Sequence, residues 1–325
     1  MSFTTCMYGG AITDVPGIEV GHATHARART GVTAVIARCG AIAGVDVRGG
    51  APGTRETDAL RPGQLVERVN GVLLCGGSAY GLDAAAGAMR YFERRGEGFV
   101  TPDGVVPIVS AAVIYDLGVG EGCARPDADM GALACIASGK ACAQGRVGAG
   151  AGATVGKLLP GGACAEGGLG SASLTLPGGG VIGAIAVVNA AGDVRDPHSG
   201  QWLACGSASA SNEAKAACPA IEALFPIQND ANARRSASVA PCATNTTIGV
   251  IATDAKLTVE QANRLAAVAQ SGLARAIVPA HLPVDGDTLF ALSTGDTQCD
   301  FVLLCAAAGE VMARAVANAV SCEVT

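Results

Sequence analysis

Short apolar runs, many of them β-branched and bounded by glycine, proline or charged clusters, set the rhythm of the chain. Val32-Thr33-Ala34-Val35-Ile36-Ala37 is apolar and β-branched almost throughout, which predicts a central strand, with a second short strand over residues 43–47. Residues 70–81 read as turn, apolar strand and glycine turn. An alanine-rich helix follows, from Ser78 as its cap to about Arg94. Pro107 cannot donate to a ladder, so residues 105–117 read as an edge or bulged strand. Helices are expected over 127–142 and 206–219. Between them glycine dominates residues 145–183, read as a strand pair that permits close sheet packing, and residues 181–189 form a buried strand ending at Asn189. Residues 228–238 are polar and are expected to be exposed. A strand over 247–253 follows, then a capping box of Thr258 and Gln261. The helix it opens carries Ala262, Leu265, Ala266, Ala269 and Leu273 on one face. A strand over 289–294 and an apolar helix over 300–320, sandwiched in the core, close the pattern.

Composition narrows this picture. A chain of 325 residues holds one large α/β domain or two smaller ones. Only 15% of residues are charged, and 46 glycines stand against a single tryptophan, so small side chains bring the elements close together. The low charge also suggests extensive surface buried between subunits. A net charge of −6 with no basic cluster argues against nucleic-acid binding. No run of 18 apolar residues suggests a membrane span. The first residues lack the basic start and apolar core of a signal peptide, so a soluble cytoplasmic protein is expected. Thirteen cysteines without a CxxC pair read as small buried thiols. The four histidines are scattered, and Gly21 with Pro16-Gly17 places His22 and His25 in a loop, so no metal site is expected.

The candidate chemistry centres on Asn245-Thr246-Thr247, where a polar passage gives way to an apolar strand. Cleavage before Thr246 would free an α-amino group, of ordinary pKa about 7.7–8, beside the hydroxyl of the same residue. Two threonines opening a strand are equally compatible with plain β-propensity. Residues 148–158 fail both as a Walker A loop, with Ala151 and Leu158 at required positions, and as a dinucleotide fingerprint, with Ala153 in place of glycine. Ser78 lacks the Gly-x-Ser-x-Gly context of a nucleophile elbow. Lys157 is left as one cation in a nearly uncharged tract. Asn189 either caps a turn or offers its amide to an oxyanion. Asp285 and Asp287 flank Gly286 and fit a turn, a metal site or a catalytic pair. The loop over residues 49–58 could border a site.

Nearly the whole chain resembles the DmpA family of L-aminopeptidase/D-esterases, β-peptidyl aminopeptidases and nylon-oligomer hydrolases. The resemblance rests on residues 14–22, Gly50-Ala51-Pro52-Gly53-Thr54-Arg55-Glu56-Thr57, Gly76-Gly77-Ser78-Ala79-Tyr80-Gly81-Leu82, Val155-Gly156-Lys157, Val188-Asn189, Asn245-Thr246-Thr247-Ile248-Gly249-Val250 and Asp285-Gly286-Asp287-Thr288, in the family's order. It implies a four-layer α-β-β-α sandwich and self-cleavage at Asn245–Thr246, giving chains 1–245 and 246–325. It further implies Thr246 as nucleophile with Asp285, Asp287, Lys157 and Asn189 as catalytic partners, and Tyr115 lining the substrate pocket. Asn189 is assigned to the oxyanion, and Lys157 either to the oxyanion or to easing deprotonation of the Thr246 hydroxyl. The implied substrates are small peptides, amides or esters, the implied assembly is a homotetramer or larger, and no cofactor or metal is required. Two departures matter. No acidic residue precedes Tyr115 to hold a substrate amine, Asp116 being expected to face the other way, and threonine with two aspartates stands nearer the nylon-hydrolase branch. An endo-acting amidase is therefore the alternative activity, and a catalytically poor binding protein on the same scaffold is the alternative class.

Overall fold

The computed structural model describes residues 4–121, 124–159, 162–207, 219–225 and 244–324. Eight strands carry most of its nine-stranded sheet: β1 (Ile18–His25), β2 (Thr30–Val47), β3 (Arg68–Cys75), β4 (Val109–Val113), β5 (Gly168–Thr175), β6 (Val181–Asn189), β7 (Thr246–Ala255) and β8 (Thr288–Thr297). The order is β5-β6-β7-β8-β2-β3-β4, with Thr54–Arg55 beyond β4 and β1 beside β2. Pairing is parallel between β7 and β8 and between β3 and β4. The four main helices are α1 (Ala84–Arg94), α2 (Ala128–Ile136), α3 (Val259–Ala276) and α4 (Phe301–Ser321).

Strand β2 makes the architecture. Its register with β3 breaks between Ile36 and Ala41, where Gly40 has φ of +70°. Before the break it pairs with β1 and β3, and after it with β8 and the first residues of β3, so one strand serves two sheet layers. Side-chain alternation then sorts the cores. Ala184, Ala186, Val188, Ile251 and Leu289 face Leu265, Ala269, Val311 and Ala315 of α3 and α4. The alternate residues Ile185, Val187, Ile248, Val250 and Phe290 meet Val35, Ala37, Val72 and Leu74 across the middle. On the far side Val32, Ala34, Ile36 and Leu73 pack on Ala84, Ala88, Phe92 and Cys135 of α1 and α2. The layers are α-β-β-α, as the resemblance implies. Burying a side chain such as Phe290 contributes about 1.5–3 kcal/mol.

Several local expectations are corrected. Ser78 does not cap a helix: with φ of +54° after Gly77 it opens a 3-10 turn (Ser78–Asp83), and α1 starts at Ala84. The 105–117 stretch divides at Pro107 into a hairpin strand, Gly104–Val106, and the interior strand β4, flanked by β3 and by Thr54–Arg55. Helix α2 ends at Ile136, short of 142. His22 and His25 lie on a strand rather than a loop, and they do not converge. His22 Nδ1 faces Thr33 Oγ1 at 3.0 Å, while His25 Nδ1 accepts the Ala28 N–H at 3.1 Å. Gly21 marks the close approach of α2, since a Cβ there would sit 2.1 Å from the Ala134 carbonyl. Among the cysteines, Cys6 and Cys322 form a disulfide, against the expectation of thiols throughout; Cys75 and Cys135 are buried thiols. Helix α4 is long and apolar enough to cross a membrane, but 61% of its most apolar window is buried within the protein. Most of the helix expected over 206–219, and the polar passage over 228–238, lie outside the described residues.

Candidate active site

The end of β6 and the start of β7 lie side by side, with Asn189 opposite Thr246. Asn245 bridges in parallel to Asp285, which lays the 282–287 loop along the Asn245–Thr246 peptide. The Gly286 N–H donates to the Asn245 carbonyl at 3.0 Å, and the Thr246 hydroxyl donates to that same oxygen. Only glycine allows this approach: a Cβ on residue 286 would stand 2.6 Å from Thr246 Oγ1 and 2.7 Å from the Ala51 carbonyl. Ala51 in turn donates its N–H to the Asp285 carbonyl at 2.9 Å, so the 49–58 loop does border this site.

Lys157 and Asn189 grip the carbonyl one residue upstream. Lys157 Nζ donates to the Thr244 carbonyl at 3.0 Å and to Asn189 Oδ1 at 2.8 Å. Asn189 Nδ2 donates to Thr244 at 3.0 Å and to the Tyr115 carbonyl at 3.1 Å, and the Thr154 N–H reaches Asn189 Oδ1 at 3.1 Å. In the uncut chain Gly286 and Thr246 thus donate to the Asn245 carbonyl, and Asn189 serves Thr244. A backbone N–H carries no side-chain signal, so Gly286 could not be assigned this contact from residue types. Tyr115 meets the site through its carbonyl.

The two aspartates are buried, each 2% exposed, but they do different things. Asp287 Oδ1 accepts the Thr247 N–H at 2.7 Å, while its Oδ2 faces His281 Nδ1 at 2.9 Å and accepts the His281 N–H at 3.1 Å. Asp285 Oδ2 accepts the Leu282 N–H at 2.8 Å. Among the described residues neither carboxylate hydrogen-bonds the Thr246 hydroxyl. Burial, reinforced by the Asp287 charge, raises Asp285 to about 6; the Leu282 and Ala191 amides and the His281 charge oppose that rise. His281 is itself raised: burial pulls it down, but its hydrogen bond to Asp287 and that residue's charge outweigh burial. Nothing in the sequence singled out His281, because its partner lies across a turn whose geometry is not written in residue spacing. Asp116 is buried against the 76–77 turn, where it accepts the Gly77 N–H at 2.6 Å, and burial raises its pKa.

Thr246 opens a central strand of an α-β-β-α sandwich. The solved L-aminopeptidase D-Ala-esterase/amidase from Ochrobactrum anthropi, described as a variant of that fold, superposes with a TM-score of 0.68 at 22% identity, covering 97% of this chain and 87% of its own. The family model for peptidase family S58 matches residues 10–325. An uncharacterized aminopeptidase of Mycobacterium bovis is 47% identical over 88% of this chain and 81% of its own length. A 6-aminohexanoate-oligomer endohydrolase of a Kocuria species is 33% identical over 87% and 74%. The chain belongs to peptidase family S58, the DmpA family, and is an enzyme of the peptidase/amidohydrolase class.

Proposed function

We propose that the chain is a precursor that cuts its own Asn245–Thr246 bond, and that the freed Thr246 is the nucleophile of an aminopeptidase- or amidase-like enzyme acting on small peptides, amides or esters. The observation that carries this reading is the Asn245 carbonyl, which holds the Thr246 hydroxyl on one side and the Gly286 N–H on the other. Thr246 Oγ adds to the Asn245 carbonyl carbon, and the charge that develops on its oxygen is met by Gly286. The C–N bond then breaks as the Thr246 nitrogen takes a proton, leaving an ester. Water hydrolyses that ester, releasing the Asn245 carboxylate and restoring the hydroxyl. Asp285, raised to about 6, is suited to accept the hydroxyl proton near neutral pH.

Once Thr244 and Asn245 withdraw, Lys157 Nζ and Asn189 Nδ2 lose the carbonyl they hold. They then receive a substrate's polar groups beside the nucleophile. The new α-amino group joins Asp285 as base, and Gly286 with Asn189 supplies donors to the oxyanion. Asp287 clamps the Thr247 amide and fixes where β7 begins.

Asp116 is buried with one oxygen on the Gly77 N–H, and Val113-Ile114 precede Tyr115, so no exposed carboxylate there meets a substrate amine. This favours an endo-acting amidase as the second reading, in keeping with the name of the Kocuria relative. Comparing turnover of a cleaved peptide with that of its N-acetylated form separates the two: loss on acetylation establishes recognition of a free amine. Assembly into tetramers or larger belongs to the same proposal and is supported by the low charge and by the exposed apolar side chains Leu133 and Ile136 of α2. The deciding experiment is intact-mass measurement of wild type and Thr246→Ala. Fragments 1–245 and 246–325 from wild type with an intact variant support self-cleavage. An intact wild type overturns it.

A further inference from the structure

His281 reaches the site from behind Asp287. Its φ of +59° lies in the left-handed region, uncommon outside glycine, and that conformation turns both its N–H and its ring toward one carboxylate oxygen. The ring lies between two acceptors: Nδ1 is 2.9 Å from Asp287 Oδ2, and Nε2 is 3.4 Å from the Gln270 carbonyl. A ring whose two nitrogens both face acceptors suits the imidazolium, in which both are donors. Asp287 passes this contact on, because its other oxygen holds the amide of Thr247, the residue after the nucleophile.

The charges around this pair are few. Asp285 and Asp287 are two buried carboxylates with only Gly286 between them, and two such groups ionise together only where a cation compensates them. Lys157 is engaged with Asn189 and Thr244. Arg48, the residue after β2, carries a charge that disfavours the charged form of His281 and is paired with Asp46 at 2.6 Å. Helix α3 contributes the Gln270 carbonyl. Among the described residues His281 is the basic side chain that touches Asp287, and its ring is a cation when protonated.

We propose that His281 is a positioning residue of the hydrolytic site: held on Asp287 by ring and backbone, it neutralises that carboxylate so that Asp285 can ionise and serve as base. The inference rests on the function proposed above. It agrees with the titration behaviour, since the Asp287 charge raises Asp285 and the His281 charge lowers it. Replacing His281 by a neutral donor therefore pushes Asp285 further up, and the acid limb of the rate profile moves with it.

The test is the pH–rate profile of processed wild type and His281→Gln on an amino-acid p-nitroanilide. The expected result is a kcat about tenfold lower than wild type at pH 6, a deficit that narrows as pH rises, and a KM that changes little. A profile that is unmoved, or lowered equally at every pH, overturns the role, because loss of packing alone does not depend on pH. Should His281→Gln fail to fold or process, nitrogen NMR of histidine-labelled Thr246→Ala protein reads the ring directly. Protonation of both His281 nitrogens at pH 6.5 supports the pairing, and a neutral ring overturns it. If wild type is neither cut nor active, the hydrolytic site itself falls and His281 with it. If wild type works and only the His281 readouts fail, the function stands without this residue.

Discussion

Asp285 is the residue on which pH acts. Its folded pKa of about 6 lies above the 3.8 of the free side chain, so protonation favours the folded state. That stabilisation is complete below about pH 3.8 and is lost as pH rises through 6. In the uncleavable Thr246→Ala background, Asp285→Asn is therefore expected to raise the melting temperature at pH 8 and to leave it nearly unchanged at pH 3.5. Equal shifts at both pH values would contradict the burial argument. Under the proposed mechanism catalysis runs the opposite way, because Asp285 must be ionised to act as base: self-cleavage is expected to accelerate from pH 5 to 7, and Asp285→Asn to abolish that rise. Gly286 makes a different demand. An added Cβ meets Thr246 Oγ1 at 2.6 Å, so Gly286→Ala is expected to slow cleavage at least tenfold with the fold retained, as followed by mass spectrometry and circular dichroism. Asn189→Ala removes the amide that helps hold Thr244 and leaves Lys157 without one of its acceptors. Losing an oxyanion donor costs about 2.7–4 kcal/mol of barrier, so turnover should fall a few hundredfold or more.

Between β7 and β8 runs a crossover that the sequence describes well. Thr258 accepts the Gln261 N–H at 3.2 Å and Gln261 returns a bond to the Thr258 N–H at 3.0 Å, the reciprocal box expected from the residue spacing. The face of α3 carrying Ala262, Leu265, Ala266, Ala269 and Leu273 is buried on the sheet, as its periodicity requires. This helix returns the chain so that β8 lies parallel to β7, and it thereby delivers Asp285 and Asp287 to the first residues of β7. Thr258→Ala should cost about 1 kcal/mol of stability, read by urea denaturation, without altering kcat once folded. Where sequence reading failed, a single residue had been taken for a local signal. Gly21 looked like a loop residue and is instead a contact point for α2; Ser78 looked like a cap and sits in a left-handed turn.

At the scale of the whole molecule, the proposed cut divides the sheet without dividing the protein. The segment after residue 245 supplies β7 and β8, which lie between β6 and β2 of the earlier segment, so neither piece buries its apolar faces alone. Cys6 and Cys322 belong to opposite pieces, and their disulfide ties them covalently after cleavage. Gel electrophoresis of cleaved protein is thus expected to show one band without reductant and two with it, while Cys322→Ser shows two in both. A pair of bands without reductant in wild type would refute the tether. Renaturation from urea should be independent of protein concentration when the disulfide is intact. It should become concentration-dependent after reduction, since joining the pieces is then a bimolecular step.

Short apolar runs bounded by turn residues were enough to predict most strands and the buried helix α4, and helical spacing after a capping box predicted α3, because such patterns record which parts of an element are withdrawn from solvent. Ordered motifs brought in the family and with it the sandwich and the set Thr246, Asp285, Asp287, Lys157 and Asn189. What each of those groups touches was decided only in three dimensions. Gly286 meets the Asn245 carbonyl with a backbone N–H, Asn189 turns to Thr244, and His281 finds Asp287 through a left-handed turn. These are backbone groups and directions, and residue types spaced along a chain do not encode them until β6, β7 and β8 are brought side by side.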